Sequence, residues 1–160
     1  FIFPSSNTTF SIGSNTYYWY GRKNSISINA PNGPNGTVYF VLSGANLTLL
    51  SDITTGSYYA YLNDGTLNLN SYNLSTWSFN STQTSSTKTI NFGANGKITA
   101  SGYVPCTIAS GVTTSGNARI YYTTTGSVAM TQSALPVTES NQVDLYFTAG
   151  TYALTLSAGS

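Results

Sequence analysis

The sequence predicts an all-β protein, built as a sandwich of two mainly antiparallel sheets. Short stretches that alternate apolar and polar residues recur about every eight to twelve residues, and turn residues separate them. Asn63-Asp64-Gly65 lies between two such stretches and is the clearest hairpin signal. No segment has a 3.6-residue period, and Glu, Lys and Ala are too sparse to build helices. No internal repeat is evident.

Each strand is expected where apolar residues alternate, and each turn where Gly, Asn and Pro cluster. Four hairpins are predicted, with turns at 63–65, 93–96, 124–126 and 149–150. A Pro-rich and Asn-Gly-rich loop is expected over 31–36. The predicted strands are Tyr17–Tyr20, Asn24–Asn29, Thr37–Leu42, Asn46–Leu50, Ser57–Leu62, Thr66–Leu69, a segment around Trp77 and Phe79, Thr89–Phe92, Lys97–Ala100, Ala118–Thr123, Ser127–Thr131, Gln142–Thr148 and Thr151–Leu156.

The most apolar of these strands is Thr37–Leu42, which is expected at the centre of a sheet. The four consecutive aromatic residues Tyr17–Tyr20 would place two rings on each face of a strand. One pair is expected in the core and the other on the surface or under a partner.

Composition excludes several classes of function. Charged residues make up 6% of the 160 residues, against about 25% in an ordinary domain. The net charge of +1 provides no basic face for nucleic acid, and no apolar run approaches the length of a membrane span. Cys106 is the single cysteine, so an intrachain disulfide is excluded, and its apolar setting predicts a buried side chain.

The residues offer little catalytic chemistry. Histidine is absent, which removes the usual nucleophile–base pairs and most transition-metal sites. No catalytic residue, metal ligand or cofactor is predicted. Either Lys88 or Lys97 could form an isopeptide bond to a buried Asn, although a solvated lysine beside a turn is the simpler interpretation. The carboxylates that could pair in a glycosidase are Asp52, Asp64, Glu139 and Asp144.

Five sequons for N-linked glycans are present, about as many as this composition produces by chance. Few charges, many hydroxyls and amides and no disulfide suit an exported protein whose solubility neutral sugars would support. Several sequons are expected to be occupied, foremost those in loop-like polar sequence. Asn35 and Asn80 are of that kind. The full set is Asn7, Asn35, Asn46, Asn73 and Asn80.

The N-terminal stretch 1–12 carries more apolar surface than a free terminus normally does. In an extended strand Thr8, Phe10 and Ile12 would share one face, and a small polar hinge follows at Gly13–Thr16. One interpretation is an ordinary first strand on its own domain; the other is a strand that completes a neighbouring molecule. The second divides the chain into a donor strand and hinge, 1–16, and a head domain, 17–160. The donor residues are Phe1, Ile2, Phe3, Thr8, Phe10 and Ile12.

An apolar alternating N-terminal strand, a Gly/Ser hinge and a Tyr/Thr-rich β-domain together resemble the donor-strand pilins. The charge-poor, sequon-rich and disulfide-free form here is most similar to the archaeal thread pilins, and more distantly to bacterial chaperone–usher pilins. The resemblance implies an immunoglobulin-like, pilin-like sandwich. It also implies an extracellular cell-surface filament of identical glycosylated subunits, joined head to tail and active in adhesion.

Two other functions fit the same features. A carbohydrate-binding module is suggested by the aromatic residues of Tyr17–Tyr20 and by Tyr58, Tyr59 and Tyr61, because aromatic faces stack on sugar rings. Tyrosine is also a favoured strand residue, so these positions need no ligand to explain them. A viral coat or spike domain would share the sandwich, the low charge and the tendency to form oligomers.

Overall fold

The computed structural model describes residues 16–20, 25–31, 33–82, 86–102, 106–108, 112–123, 128–133, 143–147 and 152–157. The chain winds as a parallel β-solenoid of about four turns, so that each strand pairs with strands of the neighbouring turns. The all-β class is confirmed. The immunoglobulin-like, pilin-like sandwich of mainly antiparallel strands is wrong, because every described strand pair is parallel.

Fifteen strands form the described part of the solenoid. In chain order they are β1 Thr16–Tyr20, β2 Ile26–Ile28, β3 Thr37–Leu49, β4 Ile53–Thr54, β5 Tyr59–Asn68, β6 Asn73–Thr76, β7 Ser78–Asn80, β8 Lys88–Asn91, β9 Lys97–Ala100, β10 Cys106–Thr107, β11 Val112–Ser115, β12 Ala118–Tyr122, β13 Val128–Ser133, β14 Val143–Phe147 and β15 Tyr152–Ser157.

The strands stack into three faces, with β13 and β15 forming a separate pair. Face 1 contains β1, the first halves of β3 and β5, β7 and β10. Face 2 contains β2, the second halves of β3 and β5, β8 and β11. Face 3 contains β4, β6, β9, β12 and β14. Because β3 and β5 each run through a corner without a break, faces 1 and 2 are one continuous sheet.

The core consists of apolar columns that run along the solenoid axis. On face 2, Leu47, Leu67 and Ile90 are partners in successive turns, and all three are fully buried. On face 3 a matching column starts at Ile53 and passes through Leu74, Ile98 and Ile120. Alternation of apolar and polar residues therefore has the meaning expected from sequence: in β2 to β9, β11 and β12, whose burial the structure describes, buried residues alternate with more exposed ones along most of each strand.

The four predicted hairpins do not match the observed pairing. Residues 63–65 lie inside β5, which continues from face 1 to face 2. The strands on either side of 93–96, β8 and β9, belong to different faces and pair one turn away instead. Likewise β14 pairs with β12, and β15 pairs with β13. The turns at 124–126 and 149–150 themselves lie outside the described residues.

A structural repeat exists although no internal repeat is evident in the sequence. Partners along the face 3 column are 21, 24, 22 and 25 residues apart, ending at Leu145. On face 1, Ala60 and Phe79 are partners only 19 residues apart, whereas Phe79 and Cys106 are separated by 27. Turns of unequal length give the sequence no fixed period, and this concealed the solenoid.

The corner between faces 2 and 3 depends on stacked backbone turns. Gly93 and Gly116 both have positive φ, +67° and +76°, and the amide of Asn117 donates to the carbonyl of Gly93 at 2.9 Å. A Cβ on Gly116 would lie 2.5 Å from the Gly93 carbonyl oxygen. The amide of Ser71 in turn donates to the carbonyl of Phe92 at 3.3 Å. Each turn thus rests directly on the backbone of the turn before it.

Candidate functional surfaces

The first candidates for a functional site are clusters of side chains that could hold a metal ion. Within the part of the chain that the structure describes, no three His, Cys, Asp or Glu residues are grouped to hold a metal ion. Among the same residues, no helix is long and apolar enough to cross a membrane.

Three of the four carboxylates singled out from sequence lie on described residues, and these three do not converge. Asp52 accepts hydrogen bonds from the amide and Nδ2 of Asn73, at 2.9 and 3.1 Å. Asp64 lies at the corner between faces 1 and 2, and Asp144 lies in β14, at the far end of face 3 from Asp52. Glu139 lies outside the described residues. Asp52, Asp64 and Asp144 therefore do not form the pair that a glycosidase requires.

Asp64 caps a backbone corner. Its Oδ1 accepts hydrogen bonds from the amides of Leu42 and Ser43, the latter at 2.7 Å, in the turn before it. Ser43 and the adjacent Gly44 have positive φ, and the register between β3 and β5 shifts between Val41 and Asn46, so the strand bends there. The Asn-Asp-Gly sequence that suggested a hairpin instead stabilises a bend in the preceding turn.

Lys88 lies at the next turn of the same corner. Gly65 is its register partner, and the lysine is only 2% exposed, pointing to the core side of β8 with Ile90. Its Nζ donates to the carbonyl of Ser86 at 3.1 Å. Burial lowers the pKa of Lys88 from 10.5, and the nearby Asp64 carboxylate partly opposes this shift. The solvated lysine expected from sequence is wrong for Lys88.

The buried lysine predicts a pH effect on stability. Because its pKa is lower in the folded state, the unfolded chain binds more protons between that lowered pKa and 10.5, so stability rises with pH over this interval. We expect the free energy of unfolding of the wild type, relative to a Lys88→Met variant, to increase as pH rises from neutral to 10.5. Urea titrations across this range measure it.

Lys97→Met serves as the control, since it also removes one positive charge but leaves Lys88 in place. A wild-type minus Lys88→Met difference that stays constant with pH would contradict the burial of this lysine. Lys97 itself lies on face 3, where its Nζ is 4.9 Å from the ring centre of Tyr121.

A column of stacked tyrosines lies on the exterior of face 1. It consists of Tyr18, Tyr39 and Tyr61 and is here named the tyrosine ladder. The ring centres are 4.8 and 4.6 Å apart and the rings are nearly parallel, at 12° and 10°. This separation equals the spacing of paired strands, as expected when identical side chains occupy one register position in successive turns.

Two further tyrosines lie beside the tyrosine ladder, each two residues away along the same strand. Tyr20 stacks beside Tyr18 at 6.0 Å, and Tyr59 beside Tyr61 at 5.8 Å. Burial raises the pKa of Tyr61, and neighbouring Tyr39 and Tyr59 add to that shift. The prediction of two inward and two outward rings in Tyr17–Tyr20 is confirmed. Trp19 is buried, Tyr17 packs against the core, and Tyr18 and Tyr20 are 53% and 63% exposed.

This stacking weakens the sugar-binding hypothesis. Sugar rings pack on free aromatic faces, but both faces of the Tyr39 ring are covered, by Tyr18 and by Tyr61. The ladder therefore presents mainly ring edges and phenol hydroxyls. A second stacked pair, Tyr121 and Tyr146, has the same arrangement on face 3, with ring centres 4.4 Å apart.

Face 2 is a flat polar surface of two columns. Its outward positions are filled by neutral side chains that are partners in successive turns, and none of them is charged. The columns are Asn46, Thr66, Thr89 and Thr113, and Ser27, Thr48, Asn68, Asn91 and Ser115. Sequence reasoning missed both columns and the tyrosine ladder, because their members are about one turn apart in a chain of unequal turns.

Four of the five sequons fall on described residues, and they differ in access. The side chains of Asn35 and Asn46 are exposed. Asn73 is half-buried, and its Nδ2, the atom to be glycosylated, donates to Asp52. Asn80 is also half-buried, and its Oδ1 accepts from the amide and hydroxyl of Thr82 at 2.8 and 2.7 Å. Asn7 lies outside the described residues.

Glycan occupancy is expected to follow this access. We expect Asn35→Gln and Asn46→Gln each to remove the mass of one glycan from natively produced protein, while Asn73→Gln changes the intact mass only by the extra methylene group of glutamine. The reason is that Asn73 would first have to release Asp52 and leave its half-buried site. Intact-mass spectrometry of the three variants tests this. A native mass equal to the bare polypeptide would contradict glycosylation altogether.

Comparisons with known proteins identify no family. No family model, no curated protein and no solved structure matches this chain. The donor-strand residues Phe1, Ile2, Phe3, Thr8, Phe10 and Ile12 lie outside the described residues, as does most of the hinge, although Thr16 already begins β1. The division into 1–16 and 17–160 stays a prediction.

Proposed function

We propose that this chain is a structural subunit of an extracellular, glycosylated filament that grows head to tail and contributes to surface adhesion. The observation that carries the proposal is the parallel ladder. All described strands on a face run in one direction and repeat at one spacing, so a second copy placed beyond the last turn would continue the ladder without reversal.

The two ends of the solenoid are different surfaces, because the first described strand β1 lies on face 1 and the last strand of face 3 is β14. Among the described strands, β1 pairs only with β3, and β14 pairs only with β12. Strand edges with open hydrogen-bonding groups are sites where another chain can add a strand. A contact between unlike ends is heterologous, and it propagates into an open filament rather than a closed dimer.

The end at β14 also offers apolar surface. Phe147 stacks on the buried Tyr122 with ring centres 5.2 Å apart, yet it is 40% exposed. A strand added beside β14 would cover this ring, which is worth about 1.5–3 kcal/mol for a fully buried phenylalanine. The apolar N-terminal stretch 1–12 of the next subunit is the proposed strand, with Phe10 and Ile12 on its inward face.

This joint differs from the one that the pilin resemblance implies. No gap in a sandwich has to be filled, because the solenoid provides an edge to extend. The neutral surface of face 2 and the sugars on its rim at Asn46 would then form the side of the filament, where charge is sparse and association between filaments depends on hydroxyls and amides.

Electron microscopy of three variants tests the proposal. A chain lacking residues 1–12 is expected to stay as dispersed subunits, and so is Phe10→Asp, since the charge would lie unpaired against the ladder end. Thr9→Asp is the matched control, because residue 9 lies on the opposite face of an extended strand. Normal filaments from the truncated chain, or loss of filaments only with Thr9→Asp, would contradict the proposal.

A further inference from the structure

The tyrosine ladder brings phenol rings from three successive turns into contact, although 21 and 22 residues separate them along the chain. Stacking at 4.8 and 4.6 Å holds the rings nearly parallel. Since the three side chains leave the sheet at the same register position, their hydroxyl-bearing edges lie on the same side. The ring carbons beside each hydroxyl are therefore held next to those of the neighbouring ring.

This arrangement favours radical coupling between two stacked tyrosines over coupling between phenols that meet by diffusion. Coupling of two phenols needs both rings close together at the moment of oxidation, and a fixed geometry removes most of the entropic cost of bringing them together. The tyrosine ladder is also accessible, because its outermost described member Tyr18 is 53% exposed, and Tyr20 and Tyr59 beside it are 63% and 42% exposed. An oxidant at the surface can therefore remove an electron from its outer members.

We propose that the tyrosine ladder is a site of oxidative cross-linking, in which Tyr39 forms dityrosine with Tyr18 or with Tyr61 under a one-electron oxidant of the peroxidase–peroxide class. Each phenol loses one electron and its hydroxyl proton. The two phenoxyl radicals join through a new bond between ring carbons beside the oxygens, and the proton that each of those carbons releases returns to the oxygen of its ring, which restores both hydroxyls and the aromatic rings. The two electrons and two protons reduce one hydrogen peroxide to two water molecules.

Such a bond would join one turn of the solenoid to the next. A link between Tyr39 and Tyr61 closes a loop that contains one full turn, and it restricts the unfolded chain in the way a disulfide does. The chain has a single cysteine, so it cannot form an intrachain disulfide to achieve this. The link would act inside each subunit and is independent of how the subunits assemble.

Tryptic mapping can locate the bond, because the chain has few cleavage sites. Trypsin cleaves after Arg22, Lys23, Lys88, Lys97 and Arg119. A Tyr18–Tyr39 bond joins peptide 1–22 to peptide 24–88, whereas a Tyr39–Tyr61 bond lowers the mass of 24–88 by two hydrogens. The Tyr121–Tyr146 pair would give the same loss within peptide 120–160 and serves as an internal replicate of stacked geometry.

The experiment treats dilute full-length protein with a haem peroxidase and hydrogen peroxide, then follows dityrosine fluorescence and the tryptic map. We expect one of two products from monomeric protein. The first is a cross-linked peptide that joins 1–22 to 24–88, and the second is peptide 24–88 with a mass lower by two hydrogens. Tyr39→Phe should abolish the cross-linked peptide and lower the yield of the lighter 24–88 peptide several-fold. Phenylalanine keeps the ring stack but cannot form a phenoxyl radical.

Tyr72→Phe is the control, because Tyr72 packs against the core outside the ladder, and it should leave both products unchanged. Dityrosine found only in covalent dimers would overturn the proposal. So would a joined product that persists at wild-type yield in Tyr39→Phe.

Discussion

Replacing Phe40 with alanine is expected to lower the free energy of unfolding by about 3–5 kcal/mol. Phe40 is fully buried on face 1, between its register partners Trp19 and Leu62. Its ring meets Trp19 edge to face with ring centres 5.3 Å apart. Truncation would leave a cavity. The neighbouring side chains of the stacked column cannot fill it without disrupting the pairing between the strands. Urea titration measures the loss.

Leu50→Ala is the matched control for Phe40→Ala. Leu50 follows the end of β3 and is 46% exposed, so its truncation should change stability by less than about 0.5 kcal/mol. Equal effects of the two substitutions would contradict the assignment of Phe40 to the core column.

Replacing Gly116 with alanine is expected to cost about 2–5 kcal/mol. Its φ of +76° is left-handed, which costs a residue with a Cβ about 1–2 kcal/mol. The added methyl would also lie 2.5 Å from the carbonyl oxygen of Gly93 in the turn before, and overpacking of this kind adds about 1–3 kcal/mol. Thermal or urea unfolding measures the total.

Gly44→Ala separates the two contributions to the Gly116→Ala effect. Gly44 has nearly the same φ, +79°, but its Cβ would meet nothing within 4 Å. It should therefore lose only the conformational part, about 1–2 kcal/mol. If both alanine variants lost the same stability, the close contact between successive turns would be refuted.

Most strand positions could be predicted from sequence, because alternation depends only on which side of a strand faces the core. Thr37–Leu42 and Lys97–Ala100 are found in strands as predicted. Pairing direction could not be predicted in the same way. The same alternation of apolar and polar residues along a strand fits an antiparallel neighbour and a parallel one equally well.

Turn residues misled the prediction for a physical reason. A hairpin and a solenoid corner both need a polar residue that accepts backbone hydrogen bonds and a glycine at positive φ. Asp64 and Gly65 satisfy that need at a corner, where Asp64 binds amides of the previous turn. Sequence-local reasoning cannot distinguish these cases, because the amides that Asp64 binds are 21 and 22 residues away.

The surfaces were still harder to predict than the fold. Tyr39 is one aromatic among thirteen tyrosines until the register places it between Tyr18 and Tyr61. The sequence did identify the chemistry that few charges leave available, namely hydroxyls, amides and aromatic rings. It could not group them, since grouping depends on turns of unequal length.

Nuclear Overhauser contacts of the folded chain test the parallel solenoid most directly. The solenoid predicts methyl contacts between Leu47 and Leu67 and between Leu67 and Ile90, which are register partners one turn apart. It also predicts no close Hα–Hα contacts between segments 57–62 and 66–69. Residues 59–68 form the single continuous strand β5, so the two segments follow each other along one strand instead of lying side by side. Strong Hα–Hα contacts across residues 63–65, the signature of an antiparallel hairpin, would contradict it.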